Sequence, residues 1–334
     1  MRYLTPYLFV LTPLALSAND FTLRVIDESG QPVADAELSV VLDRINDPRY
    51  ASNEHILQRT DGAGSLHFTS RDDMCLARID VKKSGHYPCL LDHRQHLSRF
   101  EPKQTRIITL PHRGRPIPLV VHEVYLSDAR GPLPEKTWLG FDLEEGDLVA
   151  PHGKGVVTDF RLWLESTQDG WNVSPEDLRK AHTEGRLSQL SERDFTRRLG
   201  HWNSVVRLEF PEPGTGIMVE PRFWPYCELH MPPNAPEAGY LRDFEQTCST
   251  RKPWTPEEEA SGMFLRTRVQ LAADGSILSA HYAKIMGRIQ PGACEVKFRS
   301  YYNPAANDRN LEFDANHNLR RSPLRPGALE VRDP

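Results

Sequence analysis

Apolar and polar residues alternate along most of the chain, and this period of two predicts short β-strands rather than helices. Leu23 and Val25 alternate with polar neighbours, and three more apolar residues alternate after the turn at Ser29-Gly30. The pattern restarts after Asp61-Gly62, a dipeptide that favours tight turns. No helical periodicity interrupts residues 19–112. This stretch is therefore predicted to form a β-domain.

The remaining stretch, 113–334, continues the strand pattern but contains two polar segments of another kind. Ser174 and Ser191 each precede acidic residues and occupy positions that favour a helix N-cap. Gly185 and Gly200 lie where these two helices would end, and glycine is a common residue at the end of a helix. These two segments are predicted as short surface helices.

Strands are expected again beyond these helices. Two alternating runs meet at Asp274-Gly275, which predicts a β-hairpin. The chain as a whole is therefore predicted to be mostly β. It would hold one β-domain over 19–112 and a larger β-rich domain with two short helices over 113–334.

One alternating stretch near the end of the chain is unusual, because every second residue is acidic or an amide. These residues are Asp308, Asn310, Glu312, Asp314, Asn316 and Asn318. Leu311, Phe313 and Ala315 lie between them, so the simplest interpretation is a strand with one buried face and one wet face. The alternative is a calcium site, since Ca²⁺ takes about six to eight oxygen ligands. Asp308 and Asp314, where the chain turns, would then be the coordinating residues.

The first 18 residues have the pattern of a secretory signal peptide. Arg2 precedes an apolar stretch over 3–16, and the small residues Ser17 and Ala18 follow as a cleavage site. The apolar stretch is short and interrupted by proline, which disfavours a membrane-spanning helix. The mature protein is therefore expected to be periplasmic or secreted, with no membrane span after cleavage.

Composition narrows the possible functions. The chain has 334 residues, 39% hydrophobic and 26% charged, with a formal net charge of −5. These values are typical of a soluble globular protein of about two domains. No long basic run is present, so a nucleic-acid partner is not expected.

The five cysteines are Cys75, Cys89, Cys227, Cys248 and Cys294. In an oxidising compartment disulfides are expected, and the first four are the candidates. Nearness in sequence favours Cys75 with Cys89 and Cys227 with Cys248, although sequence alone leaves the pairing open. A zinc site at Cys227, His230 and Cys248 is the alternative.

Three submotifs carry a family resemblance. VIDESGQPVADAELSV, TDGAGSLHF and VKKSGHY follow one another in this order. Together they resemble the carboxypeptidase-regulatory-like domain over about residues 20–112. This resemblance implies a transthyretin-like, Ig-like β-sandwich of about seven strands. Domains of this family are mostly spacers, stabilisers or binding surfaces, so the resemblance implies a fold and no catalysis.

A second resemblance concerns residues 262–319. AHYAKIMG and FRSYYNPAANDRNLEFD are similar to the tail of a group of uncharacterised secreted bacterial proteins. This resemblance implies an extracytoplasmic location and no particular activity.

Motifs for catalysis are missing from the sequence. The chain has no G-x-S-x-G, and His122-Glu123 lacks the second histidine of the zinc-protease motif. The Walker A and dinucleotide-binding patterns are also absent, so no cofactor is expected apart from the possible calcium ion. Trp224 and Tyr226 lie in a proline-rich loop and are candidates for stacking on a sugar or a protein.

These observations favour a non-catalytic binding or structural module of the bacterial cell envelope. Trp224, Tyr226 and the polar residues 308–314 would contact a protein or a glycan. The alternative is a hydrolase that cleaves an envelope glycan with a pair of carboxylates, because a glycosidase needs only two well-placed acids. A plain spacer without a ligand is a third possibility.

Overall fold

The computed structural model describes residues 18–44, 54–71, 74–92, 105–126, 133–171, 174, 176, 179–180, 183–185, 200–252, 261–292, 295–320, 331 and 333–334. The chain divides into two compact units, 1–113 and 114–334. Most of the described residues lie in strands, so the prediction of a mostly β protein is confirmed.

The described residues of the first unit form two sheets. Its strands are β1 (Ala18–Ile26), β2 (Glu37–Arg44), β3 (Glu54–Arg59), β4 (Ser65–Arg71), β5 (Met74–Lys82), β6 (Cys89–Asp92) and β7 (Thr105–Thr109). One sheet has the order β4-β1-β7 and the other the order β3-β2-β5-β6. β1 pairs antiparallel with β4 and parallel with β7.

Alternation decides which side chains of this unit are buried. Leu23 and Val25 of β1 are fully buried, as are the alternating apolar residues of β2. The turn before β4 requires glycine at position 64, where φ is +72° and an added Cβ would lie 2.5 Å from the Val25 carbonyl oxygen. Asp61 stabilises the same turn by accepting the Ser65 N–H at 2.8 Å.

In the second unit, the part of the chain that the structure describes also forms two sheets. Its strands are β8 (Ile117–Leu126), β9 (Leu139–Asp142), β10 (Asp147–Leu148), β11 (Phe160–Trp171), β12 (Gly200–Glu209), β13 (Gly216–Glu220), β14 (Asp243–Ser249), β15 (Gly262–Leu271), β16 (Ile277–Gly292), β17 (Glu295–Asn303) and β18 (Phe313–Asn318). The five-stranded sheet has the order β10-β9-β11-β12-β14, and the six-stranded sheet the order β13-β15-β16-β17-β8-β18.

One hydrophobic core is shared by the two sheets of this unit. Phe141 and Phe160 contribute to it from the five-stranded sheet, and Leu265 and Ile285 from the six-stranded sheet. The six-stranded sheet also buries its other face, here called the outer face. On that face Leu119, Val121, Tyr301, Phe313 and Val331 form a second apolar cluster. Both faces of β8 are therefore buried over residues 119–121, which explains the continuous apolar sequence there.

The hairpin predicted at Asp274-Gly275 is confirmed. β15 and β16 pair antiparallel on either side of it. Gly275 has φ +84°, and the Asp274 carboxylate accepts the Ser276 N–H at 2.9 Å.

The two predicted helices lie mostly outside the described residues. Gly200 was expected to end the second helix, and in the structure it is the first residue of β12. In the described part of the first helix, the Glu184 N–H donates to the Lys180 carbonyl at 2.9 Å, and Gly185 has φ +68°. The expected signal peptide lies outside the described residues except for Ala18, the first residue of β1. Within the described part of the chain, no helix has the length and apolar character needed to cross a membrane.

Candidate functional site

The polar row at 308–318 is a strand only in its second half. β18 begins at Phe313, so the strand predicted through Asp308 is wrong for residues 308–312. These residues run as irregular chain with one bridge, between Asn310 and Asn234. The expected apolar side is nevertheless present, since Leu311 and Phe313 are both buried.

Side chains of the row accept hydrogen bonds from the neighbouring backbone in both of its halves. Backbone N–H groups donate to the side-chain Oδ1 two residues earlier, from Asn310 to Asp308, Glu312 to Asn310, Asn316 to Asp314 and Arg320 to Asn318, at 2.9 to 3.0 Å. Such Asx turns offer the backbone an alternative to pairing in a sheet. The alternating oxygens therefore serve the chain itself.

Glu312 differs from the other residues of the row because it is buried. Its Oε1 accepts the Gly114 N–H at 2.9 Å. A Cβ at position 114 would lie 2.5 Å from its Oε2, so glycine permits this approach without a shift of the carboxylate. Among the described residues, no three His, Cys, Asp or Glu side chains are arranged to hold a metal ion.

Asp308 allows a direct comparison of the two interpretations of the row. The Asx turn needs only an accepting oxygen, so Asp308→Asn should keep the free energy of unfolding, whereas Asp308→Ala should lower it by about 1 kcal/mol. Urea unfolding in calcium and in EDTA should rank the three proteins identically. A loss in Asp308→Asn equal to that in Asp308→Ala, together with stabilisation of the wild type by calcium, would show that the carboxylate binds the ion.

Trp224 and Tyr226 are half-buried rather than fully exposed. The loop that carries them is closed by hydrogen bonds between its own residues, since the Trp224 N–H donates to the His230 carbonyl oxygen at 2.6 Å. Phe223 stacks on the His230 ring with 5.5 Å between centroids, and burial lowers the pKa of His230. The loop is thus a packed element of the outer face.

The cysteines that form disulfides are not paired as nearness in sequence favoured. Cys89 and Cys227 are each disulfide-bonded, whereas Cys248 keeps its thiol and Cys75 donates to the Asp43 carbonyl oxygen at 3.4 Å. Sheet register explains why Cys75 and Cys89 do not pair. Cys89 lies opposite Val81 on β5, six residues beyond Cys75, or about 20 Å along a strand. A disulfide needs Cα atoms within about 7 Å.

Thiol mapping tests this assignment. Alkylation of the denatured protein without reductant is expected to label Cys75 and Cys248, while Cys89 and Cys227 react only after reduction. Peptide mass spectrometry reads each site separately. Protection of Cys248 before reduction would contradict the structure. In the native protein the Cys248 thiol should react slowly, because burial raises its pKa.

A buried charge network, which the sequence did not reveal, joins the two sheets of the second unit. The Arg268 guanidinium donates to three carboxylates, those of Asp142 at 3.1 Å, Glu144 at 2.8 Å and Asp159 at 2.9 Å. It also lies over the Tyr302 ring, 4.9 Å from the centroid. Arg268 has φ +50° at an irregularity between β15 and β16. This conformation places one cation against three acids.

The two aspartates of this network have different electrostatic environments. Burial raises the pKa of Asp159 despite its bonds to Arg268. Burial also acts on Asp142, but backbone N–H bonds from Val157 and Val156 outweigh it and lower the pKa. The Asp142 carboxylate therefore binds two partners. It holds the loop before β11 through the backbone N–H groups, and it also holds the Arg268 guanidinium.

A second charge cluster lies on the outer face around Lys284, which is completely buried. Its Nζ donates to the Pro334 backbone oxygen at 3.1 Å and lies 4.6 Å from the centroid of the Tyr301 ring. Arg299 contacts the Asp333 carboxylate on one side and Glu123 on the other, at 3.1 Å through Nε. Burial lowers the pKa of Lys284 to about 7, although the negative charges of Glu312 and Asp333 oppose this shift.

Neither cluster was found from the sequence, because its members are far apart in the chain. Arg268 and Asp142 are separated by 126 positions. One signal was available for Lys284, which interrupts the apolar run AHYAKIMG inside a predicted strand. A lysine flanked by apolar residues at i−2 and i+2 shares their buried face.

Comparisons with known proteins show only weak similarity. No family model and no curated protein matches the chain. A solved structure of a Streptococcal ancillary pilin matches with 13% identity and a TM-score of 0.20, over 48% of this chain and 57% of the pilin. A DUF3823 family protein from Parabacteroides merdae ATCC 43184 matches with 7% identity and a TM-score of 0.18, over 84% and 95%. Scores this low carry no argument about fold or function, and the chain spans little more than half of the pilin.

Proposed function

We propose that this chain is a non-catalytic, extracytoplasmic structural module of the bacterial cell envelope. The observation that carries the proposal is the use of its polar side chains. Asp142, Asp308 and Asn310 all accept backbone N–H groups, and the half-buried Arg268 is bound by carboxylates of its own chain. Side chains used in this way hold a β-protein together.

The cysteines support the extracytoplasmic part of the proposal. Cys89 and Cys227 are disulfide-bonded, and stable disulfides form mainly in secreted and periplasmic proteins. The signal-peptide pattern over 1–18 agrees with this location.

The first unit is proposed to be a carboxypeptidase-regulatory-like domain. Seven strands in two sheets are described between Ala18 and Thr109, which agrees with the strand number implied by the sequence resemblance. A domain of this kind would serve as a spacer or a stabiliser.

The alternative of a glycan hydrolase fits the geometry less well. Asp142 and Asp159 have pKa values shifted in opposite directions, as an acid and base pair does. Both carboxylates are buried, however, at 3% and 0% side-chain exposure, and both accept hydrogen bonds from Arg268. A sugar would have to displace Arg268 to reach them.

Two measurements test the proposal. The full chain is expressed in a bacterium with a periplasm, and the fraction that holds it is identified and its N-terminus sequenced. We expect an extracytoplasmic protein beginning near Asn19, and a protein that stays in the cytoplasm would contradict the location.

The purified protein is then incubated with envelope glycans, and no reducing ends should appear. Release of reducing ends that Asp159→Asn abolishes would favour the hydrolase instead.

A further inference from the structure

The outer face of the second unit binds a short stretch of the chain's own sequence. Val331 is buried there and packs in the apolar cluster with Leu119, Val121, Tyr301 and Phe313. Beyond it, Asp333 is half-buried and Pro334 is buried. The described residues of 331–334 thus pack against the apolar cluster of the outer face.

Three polar contacts, each from a different side chain of β16 or β17, fix this stretch in place. The Arg299 guanidinium donates to the Asp333 carboxylate. The Tyr301 hydroxyl donates to the Asp333 carbonyl oxygen at 3.2 Å. Lys284 Nζ donates to the Pro334 backbone oxygen at 3.1 Å. Side chain and backbone of the stretch are therefore recognised separately, as in a peptide-binding site.

We propose that Lys284, Arg299 and Tyr301, with the apolar cluster beside them, form a peptide-binding site for the sequence Val-x-Asp-Pro. In the folded chain Val331, Asp333 and Pro334 occupy this site, and the same sequence supplied as a separate peptide binds it too. The ligand class is a short extended peptide with one apolar anchor and one carboxylate.

The chemistry of Lys284 supports such a site. A lysine on an outer sheet face ordinarily extends into water, yet this amine is completely buried. The charged and titratable groups around it are Glu312, Asp333, Arg299, Tyr301 and His230. Removing residues 331–334 would uncover the amine and leave the Arg299 guanidinium without one of its two carboxylates. An Asp-Pro peptide restores both contacts.

Acylation of Lys284 measures whether the site is occupied. The full chain is treated with an N-hydroxysuccinimide acetate reagent at pH 7.5, and modification of Lys284 is followed by peptide mass spectrometry relative to the half-exposed Lys297. Asp333→Ala should increase the relative rate at Lys284 by about tenfold or more, because opening of the segment exposes the amine. Val331→Ser, which weakens the apolar anchor, should act in the same direction.

Peptide addition then tests binding itself. Leu-Glu-Val-Arg-Asp-Pro, the sequence of residues 329–334, should restore protection of Lys284 in Asp333→Ala, whereas the same peptide with alanine in place of aspartate should not. Glu123→Gln is the matched control, because it removes the other carboxylate of Arg299 and should leave Lys284 protected. Unchanged Lys284 reactivity in both segment variants would overturn the proposal. So would a peptide that fails to restore protection, or exposure of Lys284 by Glu123→Gln.

Discussion

Replacing Arg268 with alanine is expected to lower the free energy of unfolding by about 3–5 kcal/mol. The side chain is 20% exposed and its loss leaves three carboxylates together, two of them buried. Uncompensated buried charge is costly because the folded protein cannot hydrate it as water does. Arg268→Lys should also be strongly destabilising, since an ammonium lacks the planar fork that bonds several carboxylates at once. Urea unfolding of the full chain measures both variants.

Arg207 provides a matched control for Arg268. It too pairs with a carboxylate, that of Glu245 at 2.6 Å, and lies over an aromatic ring, that of Trp163 at 4.3 Å. Its side chain is however 42% exposed, so water solvates both charges and Arg207→Ala should cost about 1 kcal/mol or less. Equal losses in the two alanine variants would contradict the role given to burial.

Wild-type stability is expected to rise by about 2 kcal/mol relative to Lys284→Met between pH 7 and pH 9. In the folded protein burial lowers the pKa of Lys284 from 10.5 to about 7, so the amine is neutral above that pH. In the unfolded chain the same amine stays protonated up to its ordinary value. The unfolded state thus binds more protons throughout this window, and raising the pH favours the folded state. Below pH 7 both states are protonated and the difference between the proteins should become constant.

Lys297 supplies the control for this pH dependence. Its amine lies 4.6 Å from the centroid of the Tyr125 ring, the same distance as between Lys284 and Tyr301, but the side chain is 44% exposed. Lys297→Met should therefore leave the pH slope of the wild type unchanged. Urea unfolding at intervals of half a pH unit gives the slopes. A wild-type curve parallel to that of Lys284→Met from pH 7 to 9 would show that the buried amine does not lose its proton.

Local patterns in the sequence were enough to predict most strands. Alternation at Leu38, Val40 and Leu42 correctly gave the buried face of β2, and Asp274-Gly275 correctly gave a hairpin. Both features depend on residues within a few positions of one another. Period-two burial and the turn preferences of Asp-Gly are local effects, which a single sequence displays.

The errors arose where another interaction used the same residues. Alternating Asp and Asn at 308–312 has the period of a strand, but their oxygens bond the backbone two residues on and replace sheet pairing. For the cysteines, nearness in sequence was the wrong guide, because the register of β5 and β6 separates Cys75 from Cys89. The partners of Arg268 and Lys284 lie far from them in the sequence, so local patterns could not identify them.

If the buried charges of the second unit are structural contacts, Arg268 and Asp159 stabilise the fold together. A double-mutant cycle measures this coupling, with Arg268→Ala, the isosteric Asp159→Asn and the double variant compared by urea unfolding of the full chain. We expect a coupling energy of about 2 kcal/mol or more, because the guanidinium bonds both oxygens of this buried carboxylate. Losses that add to within about 0.5 kcal/mol would contradict the claim, since independent sites behave in that way.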